Sequence, residues 1–471
     1  MSGQSPTLFT GFTIMTTKEL LKVKIVEDEE YPAHKLADEF IEMHAGHLIF
    51  YNGSMYYRRN NKYRKFENLS KFKLSVLVFL NSIGCVRYLL NSKVENIATA
   101  IKAKTTLNDE RKPPFFLEND RKESFISLEN GLLNINHFLK TKEVKIHKHT
   151  PSYFCTTCFE YPYIKDAIAP TWQKILDESL PDKDVQRSLQ QLIGNALRYS
   201  NKHESMVFFL GKGRNGKSLI LFIIRLLLGE DNISTLPLED FGRRFSLYRT
   251  IGKLANIIGE VSDSSKLPET SIKSYISGEP FQADIKFQDP VIVYPTARIF
   301  AALNTFPGIR DTSDGFYRRI RLFPFKHQVP EEEVRPELMT DEFWNKSGEL
   351  PGIFNWALEG LYDLETNGLL KAKGCEDVLR EIRTLQNPVI AFLEEFIVQD
   401  EGSSSLAKHI HDKYSTFCVD HGYIVKDTSA LGKAIRNVFP LAKQGGFASL
   451  GGGKRSRKWI NIRLKKQDEF I

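Results

Sequence analysis

The chain has 471 residues and a mass of 54.0 kDa, which is too long for one hydrophobic core and predicts about three domains. Hydrophobic residues make up 41% and charged residues 26% of it, a balance typical of globular rather than disordered or fibrous proteins. The sequence has no apolar run of about 18 residues and no charged-then-apolar leader, so we expect neither a membrane span nor secretion. Five scattered cysteines are typical of a reducing compartment, and the net charge of +7 permits a polyanionic partner.

Residues 1–110 are predicted to form an N-terminal α+β domain. The stretch "HLIFYNGSMYYRRNNKYRKF" (47–66) has Asn52-Gly53 between two aromatic-rich runs, which predicts a β-hairpin. Its cations could contact nucleic acid, but the solvated face of a small sheet is the commoner explanation for such a run. These cations are Arg58, Arg59, Lys62, Arg64 and Lys65.

Residues 111–205 are predicted as a mainly helical region, with a strand pair in "SFISLENGLLNI". Helical patterns follow in "APTWQKILDESL" and "DVQRSLQQLIGNALRYS". The stretch "HKHTPSYFCTTC" contains residue types that bind zinc, namely His147, His149, Cys155 and Cys158. Their spacing is not that of a standard zinc finger, so we expect no zinc site there.

Residues 206–330 alternate short apolar strands with helices and residues 331–372 have a helical pattern, which predicts an α/β domain over 206–372. The stretch "MVFFLGKGRNGKSLI" (206–220) matches G-x-x-x-x-G-K-[ST] between a strand and a helix. The backbone N–H groups of such a loop bind phosphate oxygens, Lys217 neutralises the β- and γ-phosphates, and the Ser218 hydroxyl ligates Mg²⁺. The predicted cofactor-binding residues are Gly211, Gly213, Asn215, Gly216, Lys217 and Ser218.

A second apolar strand, "GKLANIIGE" (252–260), ends in an acid. We expect Glu260 to polarise the attacking water as a general base and to support Mg²⁺ together with Ser218. The alternative is that Glu260 only ends a strand. The usual pattern has two adjacent acids, and Gly259 stands at the first position, so further support for the metal would come through water or from Asp263.

A third strand, "ARIFAAL", ends at Asn304, whose amide could hold the attacking water, although asparagine also ends strands as a turn former. In "DTSDGFYRRIRLFPF" (311–325), Arg318 or Arg319 could stabilise transition-state charge on the γ-phosphate of a neighbouring subunit. The alternative is a surface pair at the edge of a strand. Between the second and third strands, "GEPFQADIKFQDPVIVYPT" (278–296) predicts a hairpin with Lys286 and Phe287 near its tip, where they could contact single-stranded DNA.

Residues 385–471 are predicted as a winged-helix DNA-binding domain. The stretch "NPVIAFLEEFI" has helical periodicity, and "DEGSSS" (400–405) reads as a polar break. A serine is expected to cap a helix ending at Gly422, and Asp427 with Thr428 to cap the next one. The end of the chain contains eight basic and two acidic residues, which suits a wing on duplex phosphates. The alternative is a solubilising tail. The predicted contacts with duplex DNA are Lys433, Arg436, Lys454, Arg455, Arg457 and Lys458.

The order of these motifs resembles that of superfamily 3 helicases of the phage and poxvirus primase-helicase type, closely over residues 110–330. The stretch "ADIKFQDPVIVYPTARIFAALN" also resembles papillomavirus replicative helicases, in which a Lys-His pair lies at the tip of the DNA-gripping hairpin. Lys286 matches that lysine and Phe287 replaces the histidine. Arg319 rather than Arg318 matches the arginine that reaches the neighbouring subunit.

The resemblance implies an AAA+-like ATPase core that uses ATP and Mg²⁺, assembles as a homo-hexameric ring and moves along single-stranded DNA, usually 3′ to 5′. It also implies origin binding, a location in the host cytoplasm, and a virus, phage or other mobile element as the source. The N-terminal region is too short for a primase domain, so we expect the helicase half alone. Two other functions stay open, a DNA-binding initiator ATPase that does not unwind and an AAA+ remodeller of proteins.

Overall fold

A computed structural model describes residues 32–85, 91–107, 111, 113–118, 123–200, 202–261, 267–284, 291–309, 314–449 and 455–466. The chain divides into two compact units, residues 1–163 with 284–291 and residues 164–283 with 292–471. The boundaries predicted after residues 110 and 205 stay predictions. Within the described ranges, every helix is too short or too polar to cross a lipid bilayer.

The described residues of the first unit form short helices and strands. The helices are α1 Ala33–Met43, α2 Leu69–Ser82, α3 Asn91–Thr105 and α4 Ile135–Thr141. The strands are β1 Leu48–Tyr51, β2 Ser54–Arg59, β3 Lys62–Lys65, β4 Phe115–Phe116, β5 Phe125–Leu128, β6 Gly131–Asn134, β7 Ile146–His147 and β8 Tyr153–Phe154. Strands β1, β2 and β3 form one antiparallel sheet, and β5, β6 and β7 form another.

The predicted hairpin in the first unit is confirmed. Strands β1 and β2 pair antiparallel around Asn52 and Gly53, whose φ angles of 46° and 69° are those a tight hairpin turn needs. Lys62 fits neither the nucleic-acid contact nor the solvated face suggested for the basic run. Its side chain is buried, and its Nζ lies 3.7 Å from a carboxylate oxygen of Glu160. The strand pair predicted in "SFISLENGLLNI" is also present, as β5 and β6.

The histidines and cysteines near residue 150 have partners of their own. The Nε2 atom of His149 lies 2.8 Å from the carbonyl oxygen of Leu128. Cys155 and Cys158 are buried free thiols, and burial raises the pKa of both, that of Cys155 to about 11. Among the residues that the structure describes, no group of three or more His, Cys, Asp and Glu side chains could hold a metal ion.

The second unit contains a five-stranded sheet with helices around it. Its helices before residue 388 are α5 Pro170–Ser179, α6 Lys183–Asn195, α7 Lys217–Leu228, α8 Glu269–Ile276, α9 Asp314–Tyr317, α10 Asp341–Ser347, α11 Leu350–Asn367 and α12 Lys373–Gln386. Its strands there are β9 Met206–Leu210, β10 Ile233–Ser234, β11 Ala255–Val261, β12 Phe281–Ala283, β14 Arg298–Leu303 and β15 Ile320–Pro324, and β13 Val291–Val293 belongs to it except for its first residue. The helical patterns predicted between residues 169 and 200 are confirmed as α5 and α6.

All pairings in the central sheet are parallel, in the order β10-β11-β14-β9-β15. All six residues of β14 and four of the five in β9 are buried, as expected for parallel strands covered on both faces. Strand β14 lies between β9 and β11, although it follows both in the sequence. The register of β11 against β14 shifts between Ile258 and Val261, which marks a bulge near the end of β11. This sheet confirms the predicted mixed α/β class.

The helices α6 and α11 cross at very short range. A Cβ atom at Gly194 of α6 would lie 2.3 Å from the carbonyl oxygen of Ala357, and one at Gly360 of α11 would lie 2.2 Å from that of Gln190. Only glycine allows two helix backbones to approach this closely. Helix α5 begins without a capping side chain of its own, and the carboxylate of Glu349 instead accepts hydrogen bonds from the first N–H groups of that helix.

The chain ends in a helix–strand–helix–helix–strand–strand segment. Its elements are α13 Pro388–Phe396, β16 Ile397–Leu406, α14 Ala407–Asp420, α15 Thr428–Val438, β17 Lys443–Ser449 and β18 Arg455–Leu464. The strands form an antiparallel sheet in the order β16-β18-β17. Its core includes Phe392, Tyr414 and Trp459.

Two local predictions for this segment are wrong and one is confirmed. The expected polar break at 400–405 lies inside β16, although the pairing of β16 with β18 is irregular between Gln399 and Ser404. No serine caps α14, since Leu406 stands at its N-cap. The Asp427 cap is confirmed, because its carboxylate accepts a 2.7 Å hydrogen bond from the N–H of Ala430.

Candidate nucleotide-binding site

The loop between β9 and α7 turns so tightly that two of its positions accept only glycine. A Cβ atom at Gly211 would lie 2.2 Å from Nδ2 of Asn215 and 2.3 Å from the carbonyl oxygen of Phe325. Gly216 has a φ of +86°, and a Cβ atom there would lie 2.5 Å from Oγ of Ser179. The backbone itself therefore forms the surface of this loop, as an anion site built from N–H groups requires.

The lysine of the motif is held against the loop. Lys217 is 6% exposed, and its ammonium donates hydrogen bonds to the carbonyls of Gly211 (2.5 Å) and Lys212 (3.0 Å) and to Oδ1 of Asn215 (2.9 Å). The next residue, Ser218, is exposed in the first turn of α7. The cation and the hydroxyl group thus lie side by side at a helix N-terminus, where the helix dipole favours an anion.

Glu260 and Asn304 meet at the carboxyl ends of neighbouring strands. Nδ2 of Asn304 donates a 2.9 Å hydrogen bond to Oε1 of Glu260, and both side chains are exposed. Burial lowers the pKa of the Lys217 ammonium, and the negative charge of Glu260 opposes that effect. A Cβ atom at Gly259 would meet nothing within 4 Å, so packing does not explain why glycine stands there.

The two arginines lie just before β15 begins, at the end of the sheet away from Glu260 and Asn304. The carbonyl of Arg319 accepts a 2.8 Å hydrogen bond from the N–H of Met206, where β9 begins. The phosphate-binding loop follows the other end of that strand, about 17 Å further along at 3.3 Å per residue. Arg319 is 7% exposed, and its guanidinium bonds Glu204 (2.6 Å) and Oγ of Ser277 (2.7 Å), whereas Arg318 is exposed.

The predicted DNA-gripping hairpin is described only at its base. Strands β12 and β13 pair as a two-stranded sheet, which confirms the strands that flank the predicted tip. Aromatic rings pack beside Phe281, the first residue of β12. The rings of Tyr275 and Phe281 lie 5.9 Å apart, and those of Phe241 and Tyr275 lie 5.0 Å apart. The predicted site residues outside the described ranges are Asp263, Lys286, Phe287 and Lys454.

The predicted duplex contacts lie on α15 and β18. Lys433 and Arg436 are exposed on α15, and the Arg436 guanidinium lies 5.7 Å from the ring centre of the buried Trp459. Arg457 is exposed on β18, 5.6 Å from the ring centre of Phe447. Of the remaining two, Lys458 is half-buried, and Arg455 begins β18.

Some neighbours of the site were not predicted from the sequence. Asn215 donates from Nδ2 to the carbonyl of Phe325 (3.0 Å), which ties the phosphate-binding loop to the end of β15. Gln328 donates to the carbonyl of Gly213 (3.4 Å), where a Cβ atom would meet nothing within 4 Å. These partners lie more than 100 positions apart in the sequence, so no local pattern indicates them.

Residues 209–319 of the chain match a family described as "Family of unknown function (DUF5906)". The chain is 26% identical over 263 residues to "Putative helicase L207/L206" of Acanthamoeba polyphaga mimivirus, a match covering 52% of this chain and 27% of that protein. It is 22% identical over 173 residues to "Putative helicase 121R" of Invertebrate iridescent virus 3, covering 34% and 18% respectively. The matches therefore span about a quarter or less of these viral relatives.

The fold is similar to that of the C-terminal region of NrS-1. One apo structure of that region gives a TM-score of 0.53 at 13% identity, and another gives 0.52 at 14% identity. Each comparison covers 92% of this chain and 100% of the other. The chain is thus similar in sequence to viral proteins named as helicases, and in fold to a solved structure over nearly its whole length.

Proposed function

We propose that this chain is an ATP-dependent DNA helicase of superfamily 3 that works as a hexameric ring on single-stranded DNA. The observation that carries the proposal is the meeting of three groups at one edge of the parallel sheet. The loop with Lys217 follows β9, Asn304 follows β14 between β9 and β11, and Glu260 lies at the end of β11. The names of the viral relatives support the same function.

The residues of the loop fit a nucleoside triphosphate. Gly211 and Gly216 leave the N–H groups of the loop open to phosphate oxygens, and Lys217 brings a positive charge to the same place. The exposed hydroxyl of Ser218 and the carboxylate of Glu260 are oxygen ligands of the kind Mg²⁺ prefers. When bound, Mg²⁺ would neutralise charge on the β- and γ-phosphates.

Hydrolysis needs a base and a group that orients the water. Glu260 would accept a proton from the attacking water, and Asn304 would position that water through its amide. The hydrogen bond between these two side chains keeps the carboxylate close to the amide. Because Glu260 is exposed, it can reach solvent water without a change in the backbone.

The position of the arginine pair supports action on a neighbouring subunit. Both residues directly precede the edge strand β15, at the end of the sheet away from their own phosphate loop. Arg319 is engaged by Glu204 and Ser277 of its own chain, so we propose that Arg318 makes the contact with the neighbour and that Arg319 anchors it. This assignment exchanges the roles that the family resemblance implies for the two residues.

The C-terminal segment supports DNA binding. Its order of helix, strand, helix, helix, strand and strand, with β18 between β16 and β17, is the order a winged helix requires. We propose that α15 and the segment that connects β17 to β18 in the sequence bind origin duplex, with Lys433 and Arg436 on the helix.

Unwinding of a forked duplex tests the function, with Lys217→Ala as the control. Wild type should separate the strands in an ATP-dependent reaction, and the variant should not. ATP hydrolysis that DNA stimulates without unwinding would favour the initiator ATPase instead. Hydrolysis at a rate that DNA does not change would favour a protein remodeller.

Lys286→Ala should keep nucleotide binding and lose unwinding, and full unwinding by that variant would contradict the role of the hairpin.

A further inference from the structure

A cavity of about 540 Å³ opens beside the phosphate-binding loop. It is bounded by Gly211 and Asn215 of the loop, by Phe325 and Gln328 after β15, and by Val378 and Glu381 of α12. Strand β9 lies between β14 and β15, so this cavity is on the side of the loop away from Asn304 and Glu260. The proposed hydrolytic chemistry does not use it.

The cavity combines an apolar wall with a few polar groups, which is the usual composition of a small-molecule site. Leu210 and Val378 are partly buried against the core of the sheet domain, and Phe325 is buried. Val378 and Glu381 are three positions apart in α12 and therefore lie on one face of the helix. The same face offers an apolar surface and a carboxylate.

Glu381 has an exposed side chain, and within the described part of the chain its carboxylate has no ion pair or hydrogen bond. An ionised carboxylate accepts hydrogen bonds and cannot donate them. A ligand that fills this cavity would therefore meet Glu381 with a hydrogen-bond donor, such as an amino group. The other polar side chains at the rim can donate, and they are Lys212, Asn215, Lys326 and Gln328.

We propose that the cavity binds the adenine base of the nucleotide and that the Glu381 carboxylate accepts a hydrogen bond from its exocyclic amino group. The inference rests on the proposed function, since the phosphates would occupy the loop that forms one wall of the cavity. Adenine presents an amino group at position 6 and ring nitrogens that accept hydrogen bonds. Hypoxanthine, its closest analogue, presents an oxygen at position 6, which a carboxylate repels.

The test compares ATP with inosine triphosphate, in wild type and in Glu381→Gln. Wild type should favour ATP at least about tenfold in kcat/KM, because the carboxylate is left unpaired against the 6-oxo group. The glutamine side chain can donate as well as accept, so the variant should bring the two substrates within about threefold of each other. Competition against a fluorescent ATP analogue gives the same comparison without hydrolysis.

Asp377→Asn is the matched control, because it removes an exposed carboxylate of the same helix that does not line the cavity. It should keep the wild-type preference for ATP. Equal use of ATP and inosine triphosphate by wild type, or a preference unchanged in Glu381→Gln, would overturn the proposal. A preference for GTP over ATP would also overturn the assignment to adenine.

These outcomes differ from failure of the proposed function. A protein that hydrolyses no nucleoside triphosphate, and whose Lys217→Ala variant binds nucleotide as wild type does, would contradict the nucleotide site as a whole. A protein that hydrolyses ATP and inosine triphosphate equally would retain the function and lose only the role of Glu381.

Discussion

The hydrogen bond between Asn304 and Glu260 is the smallest contact on which the proposed chemistry depends. It joins the ends of two adjacent strands and involves no other side chain in the described residues. The carboxylate is therefore oriented by a single amide, while the phosphate loop nearby has its own internal contacts. Binding and hydrolysis should respond separately to substitutions in these two places.

Glu260→Gln should lower the rate of ATP hydrolysis by about a hundredfold or more, because an amide cannot accept the proton of the attacking water. Nucleotide affinity should stay near that of wild type, since Lys217 and the loop are unchanged. Single-turnover hydrolysis and equilibrium binding measure the two effects. Hydrolysis at the wild-type rate in this variant would remove Glu260 from the mechanism.

Glu349 makes a separate prediction about stability. Its buried carboxylate accepts hydrogen bonds from the N–H groups of Thr171 (3.0 Å) and Trp172 (3.2 Å), 178 and 177 positions away. Glu349→Ala leaves these donors unsatisfied and should reduce the free energy of unfolding by about 1–3 kcal/mol. Urea unfolding measures the loss. Glu349→Gln keeps an acceptor oxygen and should recover part of it, and equal effects of the two variants would contradict the capping role.

The residues that could be predicted from the sequence are those whose role is local. Gly211, Gly216 and Lys217 act within one loop, so their spacing alone indicates the site. Glu349 and Glu381 could not be predicted, because neither carboxylate belongs to a motif formed by its neighbours in the sequence. Packing at the edge of the sheet likewise decides that Arg319, rather than Arg318, is enclosed by its own chain.

At the scale of elements, the crossing of α6 and α11 holds the helical part of the second unit together. Gly360→Ala should lower the free energy of unfolding by about 1–3 kcal/mol, because the new methyl group would overlap the backbone of α6. Gly374→Ala is the control, since its Cβ atom would meet Asp182 and Val185 at ordinary distances of 3.5 and 3.6 Å. This control should be neutral or stabilising, because alanine favours a helix over glycine. A Gly360→Ala protein as stable as wild type would contradict the close crossing.

The same pair of helices should respond to acid. Hydrogen bonds from Arg187 (2.6 and 2.9 Å), with weaker help from Asn367 and Gln191, hold the pKa of Asp363 at about 2, below its ordinary 3.8. A carboxyl group with a lowered pKa in the folded state stabilises fully above its unfolded pKa and loses that effect as pH falls. Stability should therefore decline from about pH 4 toward pH 2.

Asp363→Asn should be less stable than wild type at pH 7 by about 1–2 kcal/mol and should lose less stability between pH 4 and pH 2. Urea unfolding at several pH values measures both slopes. The exposed Asp377→Asn should keep the wild-type slope. Equal acid sensitivity of wild type and Asp363→Asn would show that this ion pair does not govern the decline.

The alternation of strands and helices in residues 206–330 could be predicted because buried parallel strands are apolar throughout. The order in which those strands pair could not, since the lateral position of β14 is set by tertiary packing. Strand β16 shows the same limit, because Asp400 and Gly402 have low strand propensity and form hydrogen bonds with Arg463 and Asn461 of β18.

At the scale of the whole molecule, the proposed ring would make each active site depend on two chains. Lys217→Ala and Arg318→Ala should each abolish hydrolysis alone, the first at its own site and the second at its neighbour's. Mixing the two proteins should restore activity, because roughly a quarter of the interfaces would combine an intact loop with an intact arginine. Hydrolysis after mixing measures this recovery.

The matched control mixes Lys217→Ala with Glu260→Gln. Both changes affect the same nucleotide site of one chain, so no interface regains a full set of groups and activity should stay absent. Recovery in this control, or none in the first mixture, would contradict the division of labour between chains. Light scattering with Mg²⁺ and ATP measures the size of the assembly independently.

Strand β15 gives this arrangement a direction. At one end it bears the arginine pair, and at the other the backbone of Phe325 bonds both Leu210 (2.7 Å) and Asn215 (3.0 Å). In a closed ring, a change at one nucleotide would travel along five residues to the next nucleotide, and onward in a single rotational sense. Hydrolysis would then pass from copy to copy around the ring in one fixed order.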